Sequence, residues 1–274
     1  MQITNFMSVD VEDYYCDLPI SRWPNYQERV VNNTRKILEL FNQNNVKATF
    51  FTLGYIAEKF PDLIHEIVEQ GHEIGSHTYS HLDLRKNSKE VVTADIKKSI
   101  KVLKDISGQE ILGFRAPFFS INEKSFWVFD LLEELFVYDS SIFPVRTPLY
   151  GIPNAQRTLY KPTAKNPISD NKNGKLIEIP AATHKIPIIG NIPIAGGFHL
   201  RFLPYFYIKH GINSNQKKNN PVMMYIHPKD IDPQMPKIKG YGWHYYYNLK
   251  NAYSKFEHLL QDFTFSSAKK ILKI

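Results

Sequence analysis

Asp10, Glu12 and Asp13 stand together in Val9-Asp10-Val11-Glu12-Asp13, directly after an apolar run. Two histidines four apart, His77 and His81, stand in Ser76-His77-Thr78-Tyr79-Ser80-His81. Imidazole and carboxylate are ligands of divalent metals, and two imidazoles with one carboxylate leave room for water, as in an open catalytic site. A metal there lowers the pKa of its water and polarises a carbonyl. A second carboxylate that does not bind the metal is then free to take the water's proton. The histidine spacing would put both rings on one face of a helical turn. Spacing alone is a weak signal: with ten histidines in the chain, such a pair arises by chance in roughly a third of sequences. The pair opens just past a strand candidate at 73–76, and this position favours a metal site over two surface histidines. A solvated loop is the bland reading of the acidic trio, and Asp10 at the end of an apolar strand argues against it.

Arg115-Ala116-Pro117-Phe118 adds a guanidinium. A nearly buried arginine would hold Asp10 ionised and oriented through a charge-assisted pair. His227-Pro228 follows the apolar run 222–226 and offers a general acid, whose proton affinity a carboxylate such as Asp139 could keep high. A lone histidine after a strand is more often structural; the company of four other segments reverses that preference. His72 precedes its strand and is expected at the opposite end, in a structural role. Cys16 is the single cysteine. It allows no intrachain disulfide and no cysteine zinc cage, and it reads as a small buried hydrophobe.

Elements that could position these groups follow from periodicity. Strands are expected at 3–9, 46–53, 73–76, 112–115, 136–138, 176–179, 222–226 and 263–265, and helices at 28–44, 54–60, 61–70, 88–106, 125–135 and 248–261. The chemical residues lie at the C-terminal ends of these strands or just after them. Strands alternating with helices predict an α/β fold with a parallel sheet, and in such folds the active site gathers at the strands' C-terminal ends. Periodicity does not separate an open sheet from a barrel. Residues 143–175, dense in Pro, Asn and Lys, read as long loops or a surface hairpin. A chain of 274 residues, 43% hydrophobic, can build one barrel-sized core. No repeat or boundary interrupts it, so 1–274 is expected to be a single domain, with the motifs in 3–228 and a C-terminal extension in 229–274.

The net charge of +7 is mild. It serves solubility, or attraction to an anionic substrate or an acidic membrane face. No basic cluster interleaved with aromatics suggests nucleic-acid binding. The longest apolar stretch, 186–198, is broken by Pro187, Asn191 and Pro193 and is too short for a span of about 20 residues. The N-terminal stretch lacks a charged segment followed by an apolar one. A cytoplasmic location is expected, or a peripheral one at the inner membrane face.

Taken together, these segments resemble the motifs of the NodB-homology polysaccharide deacetylases, carbohydrate esterase family 4. Asp10 falls where that family has its catalytic base, His77 and His81 match its histidine ligands, and Arg115-Ala116-Pro117 matches the Arg-x-Pro segment that braces the base. Asp139 falls in the fourth motif, and His227 matches the histidine acting as general acid. Ser8 to Tyr14, Gly196-Gly197-Phe198 with Arg201, Leu203-Pro204-Tyr205, Ile226-His227-Pro228 and Trp243-His244-Tyr245 with Asn248-Leu249 resemble a subgroup that accompanies exopolysaccharide and exosortase systems. The resemblance implies an irregular (β/α) barrel of about seven strands, and a metal-dependent hydrolase removing N-acetyl groups from amino sugars of a polysaccharide or its precursor. It implies a divalent metal, with zinc expected. The family form has adjacent aspartates; here Val11 intervenes, which makes Glu12 the expected ligand, on the same side of an extended strand as Asp10, with Asp13 as the alternative. Phe118 replaces the usual Tyr, a position whose backbone N–H stabilises the oxyanion in the family. Aromatics at Trp23, Trp243 and Tyr245 to Tyr247 could stack on sugar rings or pack the rim. Two rival readings are an amidohydrolase of small non-sugar amides and a catalytically inactive carbohydrate-binding homologue. Oligomeric state is not legible.

Overall fold

The computed structural model describes residues 3–274; Met1 and Gln2, part of the stretch examined for a signal, lie outside the described residues. The first half alternates strands with helices, with two helices in succession between β2 and β3: β1 (Asn5–Val11), α1 (Val30–Gln43), β2 (Thr49–Thr52), α2 (Gly54–Lys59), α3 (Pro61–Glu69), β3 (Glu73–Ser76), α4 (Lys89–Ser107), β4 (Gly113–Phe114) and α5 (Val128–Leu135). These follow the expected pattern because their ends carry local signals. Ser88 accepts a hydrogen bond from the Val91 N–H at the start of α4, and Gly108 ends that helix in the left-handed conformation. All seven residues of β1 are buried, as a central parallel strand covered on both faces requires.

The second half is less regular. It holds β5 (Tyr138–Asp139), β6 (Ile177–Glu178), the hairpin β7 (Thr183–Ile186) and β8 (Gly190–Pro193), α6 (Gly197–Phe202), α7 (Tyr205–Gln216), β9 (Met223–Ile226), α8 (Ala252–Asp262), β10 (Phe265–Ser266) and α9 (Ala268–Leu272). Residues 143–175 carry no named strand or helix, as expected of long loops. The hairpin, α6 and α7 have no counterpart in the periodicity reading. The expected strand at 136–138 lies at 138–139 instead, which puts Asp139 within the strand rather than after it.

Parallel strands run in the order β9-β1-β2-β3-β4-β5-β6, and β10 joins β1 at Asn5 and Phe6. A parallel bridge between Ala181 and Met223 ties the chain just after β6 back to β9. The sheet is thereby curled into an irregular (β/α) barrel, and the ends of β1, β3, β4 and β9 face one rim. Phe6, Phe51, Tyr138, Ile179 and Met223, from around the circuit, form one buried cluster, as interior residues of a small barrel do. Gly75 of β3 is required there, since a Cβ would meet the Phe51 ring at 2.7 Å. No helix among the described residues is long and apolar enough to cross a membrane.

Candidate metal and acid–base site

Each expected ligand is held by the element before it. Glu12 follows β1 and is buried. His77 follows β3, whose ladder continues as the His77 N–H donates to the Thr52 carbonyl at 3.1 Å. The segment from His77 to His81 is a loop and not the helical turn expected from its spacing, and Thr78 and His81 both have positive φ, 70° and 56°. That costly backbone is pinned from two sides. The Gly54 and Tyr55 N–H groups at the start of α2 donate to the Thr78 and Tyr79 carbonyls. Asp95 of α4 accepts from the Tyr79 N–H at 2.7 Å and the Ser80 hydroxyl at 2.5 Å. Asp95 was not foreseen; mid-helix carboxylates carry no signal of such a role.

Both imidazoles are oriented through Nδ1. The His77 Nδ1–H donates to the Arg115 carbonyl at 2.8 Å and the His81 Nδ1–H to the Cys16 carbonyl at 2.9 Å. These bonds leave the Nε2 lone pairs facing Glu12 Oε2, at 3.8 Å from His77 and 2.5 Å from His81. Glu12 Oε2 is buried and receives no hydrogen bond. Three electron-pair donors that meet without a hydrogen between them fit a cation, and their ligand atoms all lie within 4.8 Å of one another. Burial pushes His77 down to about 4, which keeps it neutral and able to ligate. Burial pushes His81 the same way, but Glu12 more than offsets it and holds that imidazole above its ordinary pKa. The site therefore draws positive charge, as proton or as metal.

Asp13, the alternative ligand, is engaged elsewhere. Its Oδ2 accepts from the Arg29 and Val30 N–H groups at 2.7 and 2.9 Å, and its Oδ1 from the Tyr14 N–H at 2.8 Å. It satisfies donors at the start of α1 that have no partner within the helix. The geometry brings Glu12 to the histidines and takes Asp13 away from them.

Arg115 is fully buried and divides its donors. Nη1 donates to Asp10 Oδ1 at 2.6 Å and Ser8 Oγ at 2.7 Å, while Nε and Nη2 reach the Ser140 carbonyl and hydroxyl. Its Cζ lies 4.3 Å from the Phe51 ring centroid, a packing that a lysine could not reproduce. Phe118 follows in a left-handed turn at φ 58°, its ring 4.5 Å from that of His81.

His227 Nε2 points into the same space, 3.8 Å from Asp10 Oδ2 and 3.7 Å from Glu12 Oε1. Its partner differs from the expectation. Nδ1 meets Asp230 Oδ2 at 2.7 Å, and Asp230 also accepts the His227 N–H at 2.9 Å. Asp139 lies instead on β5, opposite Glu178 of β6, and accepts from the Ser141 hydroxyl at 2.5 Å. Its place in the strand turns the carboxylate to its lateral neighbour and away from His227, so the tuning role assigned to Asp139 is corrected to Asp230. Asp230 is held in turn by Arg201 of α6 at 3.1 Å. Gly197, one of the paired glycines in the sequence, leaves the space that the Asp230 carboxylate fills. Burial opposes charge on His227, but Asp230 outweighs it and holds that imidazole above its ordinary pKa. Lys229 was also missed: its buried Nζ meets Glu12 Oε1 at 2.6 Å. Nothing in the spacing of His-Pro-Lys-Asp distinguishes it from a surface lysine. His72, as expected, stands apart, its Nδ1 accepting from the Ala48 N–H.

Residues 23–133 match the family model described as Polysaccharide deacetylase, and residues 140–273 match one described as a domain of unknown function, DUF3473. The second match contains the Gly196 to Leu249 segments singled out in the sequence. The chain is 43% identical over 90 residues to a peptidoglycan-N-acetylglucosamine deacetylase of Bacillus cereus, covering 33% of each chain. It is 35% identical over 91 residues to the peptidoglycan-N-acetylglucosamine deacetylase PgdA of Listeria monocytogenes, covering 33% of this chain and 20% of that one. It thus spans a third or less of the length of these relatives. Among solved structures, a Mycobacterium smegmatis protein assigned to the polysaccharide deacetylases superposes with a TM-score of 0.64 at 17% identity, covering 100% of this chain and 93% of that one. The Bc1960 peptidoglycan N-acetylglucosamine deacetylase does so with a TM-score of 0.53 at 20% identity, covering 98% and 87%. These two likenesses are of fold.

Proposed function

We propose that this chain, whose residues 23–133 match the polysaccharide deacetylase family model, is a metal-dependent hydrolase removing N-acetyl groups from amino sugars of a polysaccharide or its precursor. The observation that carries this reading is the convergence of Glu12, His77 and His81 beside one carboxylate, Asp10, and one imidazole, His227. Glu12, His77 and His81 would hold the ion; zinc suits two imidazoles and a carboxylate. When bound, such an ion supplies Lewis acidity and a water of lowered pKa. Asp10 takes the proton of the attacking water, and Arg115 keeps its carboxylate aimed. The Phe118 N–H stabilises the oxyanion. His227 Nε2 gives its proton to the leaving amine, with Asp230 holding the Nδ1–H. Acetate and the free amino sugar leave.

Acetate release from N-acetylated oligosaccharides, measured beside small N-acetyl amides, tests this. Release from the sugars should cease on chelation and return with zinc. Release from the small amides alone would favour an amidohydrolase of other substrates; release from neither, by metal-loaded protein, would favour a sugar-binding homologue. The proposal includes action in the cytoplasm on a phosphate-linked precursor, for which the net charge of +7 is the support. Recovery of the protein outside fractionated cells would overturn that part.

A further inference from the structure

Asp10, Glu12 and Asp230 are buried at the rim, and the three are held alike. One oxygen of each is taken by a cationic side chain, and the other is turned to an imidazole. Asp10 Oδ1 accepts from Arg115 at 2.6 Å, and Oδ2 lies 3.8 Å from His227 Nε2. Asp230 Oδ1 accepts from Arg201 at 3.1 Å, and Oδ2 meets His227 Nδ1 at 2.7 Å. Glu12 Oε1 accepts from Lys229 Nζ at 2.6 Å, and Oε2 faces the Nε2 atoms of His77 and His81. Arg115 aims Asp10 and Arg201 holds Asp230. The reaction as described gives Lys229 no task.

Lys229 is itself held in place. It sits in the turn Pro228–Ile231, and its side chain is 12% exposed. Asp17 Oδ2 lies 3.7 Å from Nζ and accepts from the Tyr245 hydroxyl at 2.8 Å, and the Tyr245 ring centroid is 6.0 Å from the ammonium. An ammonium so nearly buried is costly to desolvate and depends on its carboxylate partners. The second half of the chain thus places a cation on a metal ligand supplied by the first half.

A carboxylate can bind a divalent ion through one oxygen or through both. Ligation through both takes up room that an open catalytic site keeps for water or substrate. Turning Glu12 Oε1 to the ion would break a charge-assisted hydrogen bond and strip the ammonium of its nearest partner. Lys229 also takes the oxygen that His227 Nε2 approaches to 3.7 Å, so Glu12 does not capture the proton which that ring must give away. We propose that Lys229 is a positioning residue that restricts Glu12 to ligation through Oε2 and thereby keeps a coordination position open. The inference rests on the metal site proposed above and adds to it the denticity of its carboxylate ligand.

Cobalt(II) loaded into the purified chain tests this, because its visible bands are intense at low coordination number and weaken as ligands are added. Lys229→Met removes the ammonium from a side chain of similar length. It should bind as much cobalt as the parent with a loss of visible intensity, and its zinc-loaded turnover on N-acetylated oligosaccharides should fall about 10–100-fold. Lys229→Gln, whose amide still donates to Oε1, should keep the parent's spectrum. A Lys229→Met spectrum like the parent's, or loss of cobalt from that variant, overturns the proposal. So does a weakened spectrum in Lys229→Gln, which is read whether or not the methionine variant folds. His77→Ala separates the two levels of the argument. Cobalt bound by it as by the parent would mean that the metal site itself is misplaced. Cobalt lost from it, with an unchanged Lys229→Met spectrum, would remove the role of Lys229 alone.

Discussion

Two pairs of carboxyl groups are buried in this barrel, and their neighbours give them opposite character. Asp10 and Glu12 lie at the end of β1; Asp139 and Glu178 face each other across β5 and β6. Burial alone pushes a carboxyl pKa up. At Glu12, His81 and Lys229 more than offset it and hold the group well below the usual carboxylate range. Asp139 and Glu178 have no such cation. Arg115 gives them only Ser140, while its direct ion pair goes to Asp10. Asp139 is pushed up to about 6, and Glu178 well above its ordinary value. Asp139 Oδ2 and Glu178 Oε2 are both buried without a donor, and one shared proton satisfies both. Depth does not decide the charge of a carboxyl group here; the cation does. The charged pair is equipped for ligation and proton transfer, and the protonated pair for support. Through Ser141, Asp139 pins the Ala116 N–H beside the Phe118 turn.

The largest effects should come from removing ligands. His77→Ala or His81→Ala leaves two protein ligands, and metal analysis should find the ion lost together with turnover. Content unchanged in both variants would reject the site. Next, Asp10→Asn should keep the metal and lose about 10²–10⁴ in turnover, the range for a positioned proton acceptor, while Glu12→Gln should lose metal as well. Asp13→Asn should keep metal and weaken the start of α1 by about 1 kcal/mol, read by urea unfolding. Metal lost from Asp13→Asn and kept by Glu12→Gln would reverse the assignment.

A smaller effect separates the two acidic candidates for tuning His227. Asp230→Asn should cost about 10–100-fold in turnover, the usual effect of an outer partner. Removing that negative charge lowers the imidazolium pKa, so the acid loses its proton at lower pH and the alkaline limb of the pH–rate profile moves down. Asp139→Asn should leave that limb in place. A limb moved by Asp139→Asn and not by Asp230→Asn would restore the assignment made from sequence.

That assignment shows where legibility ended. Asp10, His77, His81, Arg115 and His227 stand at or just past apolar strands, and parallel strands deliver such positions to one rim whatever the details of closure. Asp139 looked alike by that measure, but strand register sent it sideways to Glu178. Asp230 and Lys229 reach the site from a tight turn after His227, where no periodicity applies. The hairpin was obscured because Pro187, Asn191 and Pro193 break the alternation of strands. In α7, Gly211 and two asparagines, Asn213 and Asn215, weaken the helical signal; a Cβ on Gly211 would meet the Ile194 side chain at 2.9 Å. The first half of the barrel was legible because its elements are stabilised locally. The second half depends on packing between distant segments.

The smallest effect concerns stability alone. Asp139 binds its proton more tightly when folded, about 6 against an ordinary 3.8, so the folded state holds more protons between those values. Stability must then fall as pH rises through that interval. The contribution is fully present below the ordinary value, lost as pH passes about 6, and a cost beyond it. In Asp139→Asn the amide can still accept from Ser141 and can donate to Glu178 without a proton that titrates. With the negative neighbour removed, Glu178 also ionises more readily. The variant should therefore be more stable than the parent near pH 8, by about 1–3 kcal/mol at most, given that one pKa unit is worth about 1.4 kcal/mol, and the advantage should vanish towards pH 4. Urea unfolding of both proteins across this range measures it. A variant less stable than the parent at every pH would mean that both carboxyl groups are charged and held by donors, and the contrast between the two buried pairs would fail.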